Sequence, residues 1–243
     1  MIERMVDPPP TGDMPQEAEL IVLRYGEWMR SGAGPGPKTA REVLTALAAL
    51  PYSRDVDTVN ERLTGAEASE VIRRHVARYE KAIELAGRTG GLWWDVACGT
   101  GYGMARLPAD AICGFDRPGT DILTGMDANF LGTDIAQAGW SSDAPDPDVV
   151  VSIETLEHLN RYDQDGFIAE IAGRLKPDGV LVLACPIGNG PNPANPWHLH
   201  ESAEPELRTL MVRHFLDVSV EVESYESTSG PAVQAWATAR EAV

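Results

Sequence analysis

The chain has 243 residues, of which 43% are hydrophobic, and its 37 Asp and Glu against 20 Lys and Arg give a formal net charge of −17. This length and apolar content predict one domain with a substantial core, preceded by an extension. The acidic balance disfavours a long nucleic-acid substrate, which needs a basic surface, and no apolar run reaches the ~20 residues that span a bilayer.

The first part of the chain is predicted to be a helical extension or lid over residues 1–60. Helical patterns cover residues 16–30 and 40–50, and a Gly/Pro-rich segment separates them. The charged start is followed by prolines and is not a signal peptide, so we expect a cytoplasmic protein. Residues 64–67 have the spacing of a capping box and open a longer helix that ends near Gly87. Its basic residues are interpreted as a solvated face: Arg73, Arg74, Arg78 and Lys81.

A glycine-rich turn follows the apolar run at residues 92–96, and its pattern is Asp-x-x-x-Gly-x-Gly-x-Gly. Glycines at such a turn let the backbone approach a ligand closely. A dinucleotide fingerprint needs a third Gly or Ala at the position where Met104 stands. The pattern, which begins at Asp95 and includes Gly99 and Gly101, resembles motif I of the class I S-adenosylmethionine (SAM)-dependent methyltransferases.

Two further predicted strands are followed by acidic residues that match this family. The resemblance implies that Asp116, at the end of the strand at residues 111–116, binds the ribose hydroxyls of SAM. It also implies that Asp134 accepts a hydrogen bond from the adenine amino group while Ile135 lies against the ring. The intervening segment is too rich in Pro and Gly for the family's full helix, so a loop or short helix is predicted there and Asp127 is a rival of Asp134. The predicted cofactor-binding set is Asp95, Ala97, Gly99, Gly101, Asp116, Asp134, Ile135 and Ser152.

The fourth predicted strand, at residues 148–154, leads into a segment very similar to the Glu-x-x-Glu-His-Leu segment of many family members. Glu154, Glu157 and His158 would share one face of a helix there. Three interpretations stay open. Glu157 and His158 could have a structural role, or His158 or His198 could be a general base. Alternatively, the four residues could form a divalent-metal site: Glu154, Glu157, His158 and His198. We predict Glu157, His158 and His198 as catalytic residues and no metal ligands.

The last predicted elements are a strand at residues 180–186, a helix at 205–215 and two strands at 217–223 and 232–239. Alternating strands and helices indicate a parallel sheet with right-handed crossovers. The resemblance implies an α/β fold, a Rossmann-like doubly wound sheet of about seven strands with the last strand antiparallel, in a domain over residues 61–243. Ligands bind beyond the carboxyl ends of such strands, so the predicted residues are expected to meet there.

These features together predict a SAM-dependent methyltransferase that acts on a small-molecule acceptor, at a hydroxyl rather than a nitrogen. The alternatives are a metal-assisted RNA 2′-O-methyltransferase, whose small-RNA members carry a similar Glu and His set, and a SAM-binding domain without catalysis. We expect no nucleic-acid or membrane partner, and the sequence does not predict the oligomeric state.

Overall fold

The computed structural model of the protein describes residues 77–99, 101, 103–118, 128–193, 195, 197–227 and 230–243. The predicted extension at residues 1–60 lies outside these described residues, as do residues 61–76 of the predicted domain. The segment predicted as a loop or short helix lies outside them over residues 119–127, which include Asp127. Within the described residues, every helix is too short or too polar to cross a membrane.

Three α-helices lie in the described part of the chain. Helix α1 is described over residues 77–86 and ends at Gly87, as predicted, because Gly87 adopts a left-handed conformation with a φ of 62°. Helix α2 spans Arg161–Arg174, and the side chain of Asn160 caps its first turn by accepting two backbone hydrogen bonds. Helix α3 spans Glu204–Met211.

A seven-stranded sheet forms the centre of the protein, in the order β3-β2-β1-β4-β5-β7-β6. The strands are β1 Leu92–Val96, β2 Ala111–Asp116, β3 Asn129–Gly132, β4 Val149–Ile153, β5 Val180–Pro186, β6 Phe215–Ser227 and β7 Gly230–Ala242. The first five strands pair in parallel, and β7 pairs antiparallel with both β5 and β6. The predicted fold class is confirmed.

The carboxyl-terminal part of the sheet differs from the prediction in its boundaries. The strands predicted at residues 217–223 and 232–239 are longer, because backbone pairing in the β6–β7 hairpin continues from Phe215 and Ala242 to Ser227 and Gly230. The helix predicted at 205–215 ends earlier, since Phe215 already belongs to β6. Alternation of apolar and polar residues fades before backbone pairing does, so the pattern underestimates the length of such a hairpin.

Four aromatic side chains connect the sheet to α2 within the core. Trp94 and Phe115, on β1 and β2, have ring centroids 4.9 Å apart, and Phe115 lies 5.0 Å from Trp140. Trp140 in turn stacks on Phe167 of α2 at 5.9 Å. Each such pair contributes roughly 0.5–1.5 kcal/mol beyond the burial itself. The cluster therefore holds β1 and β2 firmly just before their carboxyl ends.

The order in which strands are added to the sheet reverses at β1. Strands β2 and β3 lie on one side of β1, whereas β4 and β5 lie on the other. In an open α/β sheet, the crevice outside the carboxyl ends of the strands at such a reversal is where ligands bind. The carboxyl ends of β1, β2 and β4 are therefore the place to look for a site.

Candidate functional site

The turn after β1 has a left-handed backbone at three positions. Ala97, Gly99 and Gly101 have φ angles of 62°, 57° and 85°. A Cβ built on Gly99 would meet nothing within 4 Å, so open space adjoins the backbone there. Gly103 has a different reason to be glycine, because its Cβ would lie 2.0 Å from Cζ of Tyr79. The motif thus combines an exposed backbone with close packing of α1.

Asp95 lies beneath this turn and is fully buried. The hydroxyl of Tyr79 donates to both of its carboxylate oxygens, at 3.1 and 3.0 Å. Burial raises the pKa of Asp95 to about 7, the charge of Asp116 acts in the same direction, and the Tyr79 hydrogen bond opposes both. Asp95 therefore ties the strand end to α1 and does not line the cavity described below.

Asp116, at the end of β2, is oriented by two backbone amides. The N–H of Gly99 donates to its Oδ2 at 2.7 Å, and the N–H of Arg117 donates to its Oδ1 at 2.7 Å. Asp134 is held within its own turn, where Oδ1 accepts from the N–H of Ala136 at 3.1 Å. The acid at the end of β2 is thus joined directly to the glycine turn of β1.

A cavity of about 380 Å³ opens at these strand ends. This volume lies in the range of small-molecule sites. Its wall includes five of the predicted site residues together with Glu154: Ala97, Asp116, Asp134, Ile135 and His158. The other predicted residues are not part of this wall: Asp95, Gly99, Gly101, Ser152, Glu157 and His198. Ser152, for example, is fully buried and donates to the carbonyl oxygen of Val96 at 3.2 Å, which joins the ends of β4 and β1.

Glu157, His158 and His198 form a compact cluster next to this cavity, and we call it the Glu–His cluster. One ligand atom from each residue lies within 4.8 Å of the others. Glu157 and His158 belong to a single turn of 3₁₀-helix, Leu156–His158, and not to the α-helix considered from the sequence. His198 comes from the loop after β5, and its ring centroid lies 5.1 Å from that of His158.

The two histidines of the Glu–His cluster are each held through Nδ1. Nδ1 of His158 lies 2.9 Å from the carbonyl oxygen of Trp197 and must be the donor, since a carbonyl only accepts. This leaves the lone pair on Nε2, which lies 3.9 Å from Oε1 of Glu157. Nδ1 of His198 lies 2.5 Å from Oε1 of Glu201. Burial lowers the pKa of His158, so its imidazole favours the neutral form.

Glu157 is the most unusual group of the site. Its side chain is 1% exposed, and neither carboxylate oxygen has a hydrogen-bond partner among the described residues. Burial, and then the charge of Glu154, raise the pKa of Glu157 well above its ordinary value. Burial likewise raises the pKa of Glu154, while the charges of Arg78 and His198 oppose this effect.

Three residues that complete the site were not predicted. Arg78 is 11% exposed, donates to Oε1 of Gln234 at 3.1 Å and lies 3.7 Å from Oε1 of Glu154, so the interpretation of a solvated face is wrong for this residue. Tyr79 counted only as part of an apolar helix face. Glu201 follows His198 by three residues, and that spacing of an acid and a histidine was the available signal.

Comparisons with known proteins agree with this geometry. A family model described as a methyltransferase domain matches residues 66–217, more than half of the chain. A protein of Mycolicibacterium smegmatis named "Probable S-adenosylmethionine-dependent methyltransferase" is 33% identical over 60% of this chain, and the match covers 59% of that relative's length.

Solved structures share the fold at low sequence identity. N-methyltransferase NodS from Bradyrhizobium japonicum, solved with S-adenosylhomocysteine, has a TM-score of 0.53 and 16% identity, covering 69% of this chain and 86% of NodS. Mitomycin 7-O-methyltransferase MmcR has a TM-score of 0.52 and 20% identity, covering 72% of this chain and 56% of MmcR. Because one is an N- and the other an O-methyltransferase, the shared fold does not select the acceptor atom. The match to the family model, with the motifs in order, shows that the chain belongs to the methyltransferase domain family, within the class I SAM-dependent methyltransferases.

Proposed function

We propose that this protein transfers a methyl group from SAM to a hydroxyl of a small-molecule acceptor. The observation that carries the proposal is that one cavity at the strand ends has Asp116, Asp134, Glu154 and His158 together on its wall. A cofactor bound against one part of this wall would present its methyl group to an acceptor at the other part, which converts the reaction of two molecules into one of prealigned groups.

The cofactor part of the cavity fits SAM. Asp116 is oriented by the N–H groups of Gly99 and Arg117, and a carboxylate suits the two hydroxyls of a ribose. Asp134 and Ile135 line the wall and would take the adenine. The backbone beside Gly99 faces open space, so a ligand could approach it closely. When bound, SAM supplies a methyl group on a sulfonium, and its carbon–sulfur bond breaks as the bond to the acceptor oxygen forms, which leaves S-adenosylhomocysteine.

The acceptor part of the cavity has to promote loss of the hydroxyl proton. The Glu–His cluster supports this role, because His158 lines the cavity and its Nε2 keeps a lone pair while Nδ1 donates to Trp197. Its lowered pKa favours the neutral imidazole near pH 7, and the neutral form can accept a proton. The cavity volume of about 380 Å³ and the net charge of −17 both favour a small acceptor over a nucleic acid. A cytoplasmic location, expected from the sequence, belongs to the same proposal.

The test begins with thermal denaturation of the full chain with SAM, S-adenosylhomocysteine or NADH. A ligand at 100 times its dissociation constant adds roughly 2.7 kcal/mol of stability. We expect stabilisation by the first two and not by NADH. Acceptors are then screened for formation of S-adenosylhomocysteine, with hydroxylated small molecules, matched amines and an RNA oligonucleotide. Methylation confined to amines or to RNA, or SAM binding with no turnover on any acceptor, would contradict the proposal.

A further inference from the structure

We propose that Glu157, His158 and His198 bind one divalent transition-metal ion of the zinc type, with an open position toward the cavity. The inference rests on the proposed function and deepens it, because the ion would hold and activate the acceptor oxygen in the same site. Three separate features of the Glu–His cluster support it.

The first feature is the isolation of the Glu157 carboxyl group. It is 1% exposed, and neither oxygen has a partner in the part of the chain that the structure describes. An ionised carboxylate in such a place is strongly destabilised unless a cation is paired with it. A neutral acid would still leave its own O–H without an acceptor. A bound cation between the carboxylate and the two imidazoles satisfies this group.

The second feature is the convergence of the ligand atoms. One atom each from Glu157, His158 and His198 lies within 4.8 Å of the others. In a tetrahedral zinc site, two ligand atoms that are each about 2.1 Å from the metal lie about 3.4 Å apart. A movement of at most about 0.7 Å by each side chain would therefore complete the coordination. His158 lies in the 3₁₀ turn after β4 and His198 in the loop after β5, so neighbouring positions in the chain do not explain why their side chains meet.

The third feature is the orientation of both imidazoles. Nδ1 of His158 donates to the carbonyl oxygen of Trp197, and Nδ1 of His198 pairs with Glu201. Metal-binding histidines are held in this way, with one nitrogen on a carbonyl or carboxylate and the other on the ion. Glu201 is itself fixed, because Asn192 Nδ2 donates to it at 2.7 Å. In both rings Nδ1 is engaged, so Nε2 is the nitrogen that could bind a metal ion.

The ligand set favours a transition metal over magnesium. Two imidazole nitrogens with one carboxylate oxygen suit ions such as Zn²⁺, whereas Mg²⁺ prefers oxygen ligands alone. Three protein ligands would leave one coordination position free, and the cavity that His158 lines is where an acceptor could reach it. An acceptor hydroxyl bound there would have a lowered pKa, and its proton would pass to water in the cavity as the oxygen bonds to the methyl carbon.

The experiment uses the full chain, stripped with a chelator and then titrated with Zn²⁺, Co²⁺ or Mg²⁺. We expect calorimetry to show that one equivalent of Zn²⁺ or of Co²⁺ binds, and that Mg²⁺ binds at least tenfold more weakly. The d–d absorption of bound Co²⁺ should indicate a low coordination number with nitrogen ligands. Glu157→Gln and His198→Gln should abolish stoichiometric binding, and Glu201→Gln should weaken it 10- to 100-fold. His214→Gln is the matched control, because His214 also pairs with a carboxylate, Asp165, but outside the Glu–His cluster.

Wild-type protein that binds no Zn²⁺ or Co²⁺, or binding that Glu157→Gln and His198→Gln leave intact, would overturn the inference. The Co²⁺ spectrum of the wild type decides the matter even if a variant fails to fold. If S-adenosylhomocysteine binds and the rate of methyl transfer is the same with and without metal, the ion has no part in the reaction, and the proposed function is unaffected. Stoichiometric metal binding without any SAM binding would support the metal site and contradict the proposed function.

Discussion

Replacement of Asp95 by Asn should change how the stability of the protein depends on pH. Burial raises the pKa of this carboxyl from 3.8 to about 7 in the folded protein. Folded Asp95 therefore keeps its proton at pH values where the unfolded chain has lost it, and the stability of the wild type falls as pH rises from about 4 to about 7. At 1.36 kcal/mol per pKa unit, this effect amounts to about 4 kcal/mol over the whole window.

The Asn variant has no proton to lose at this position. Its free energy of unfolding, relative to the wild type, should rise by about 3 kcal/mol between pH 5 and pH 8, on top of a constant difference from the altered side chain. That is a large fraction of the roughly 5–15 kcal/mol that stabilises an ordinary domain. The Tyr79 hydroxyl, which donates to the carboxylate, favours its ionised form. Tyr79→Phe should therefore extend the upper end of the window to higher pH, while its lower end, set by the unfolded chain, stays near pH 4.

Urea denaturation at several pH values measures this difference, and the fluorescence of the buried Trp93 and Trp94 reports unfolding. Asp178→Asn is the control, because Asp178 is an exposed aspartate in the turn before β5. Raised pKa values at Glu154 and Glu157 affect the wild type and the variant alike, so they largely cancel in the comparison. A difference between Asp95→Asn and the wild type that stays constant from pH 5 to pH 8 would refute the reasoning.

Three further substitutions test the cofactor turn and the Glu–His cluster. Asp116→Ala should weaken SAM binding at least tenfold by calorimetry while the fold is kept, since hydrogen bonds to a charged group contribute about 1.5–3 kcal/mol each; unchanged affinity would remove Asp116 from the ribose site. His158→Ala should lower kcat by about 100-fold or more with little change in SAM affinity, and equal turnover would exclude a catalytic role. Gly103→Ala should destabilise the fold by about 1–3 kcal/mol, because its Cβ would lie 2.0 Å from the ring of Tyr79. A double-mutant cycle with Tyr79→Ala should recover part of that loss, and strict additivity would show that the two groups do not clash.

Much of the sheet could be predicted because parallel strands are buried on both faces. The predicted boundaries of β2 and β5 match the structure, because each strand is a mostly apolar run with turn residues before and after it. The same logic placed Ala97, Asp116 and His158 at one end of the sheet, where they line one cavity. The antiparallel hairpin was less predictable, because its strands are partly exposed and its length is set by backbone pairing.

The directions of individual side chains were beyond the sequence. Asp95 belongs to the predicted motif, yet it points to Tyr79 of α1 and is fully buried, whereas Asp116 lines the cavity. Both are acids at the ends of strands, and nothing in the local pattern separates them. Arg78 pairs with Glu154 and Gln234 across the fold, which a helix pattern alone could not show.

The sequence by itself determined the family, the sheet and the end of the sheet where a site forms, because these depend on local apolar runs and on glycines that a tight turn requires. Only the tertiary structure decided which groups meet there. Glu157 and His198 are 41 positions apart, yet their ligand atoms lie within 4.8 Å, and the carboxylate of Glu157 has no partner among the described residues. Burial and the absence of a hydrogen bond are properties of the packed chain, so they appear only when distant segments come together.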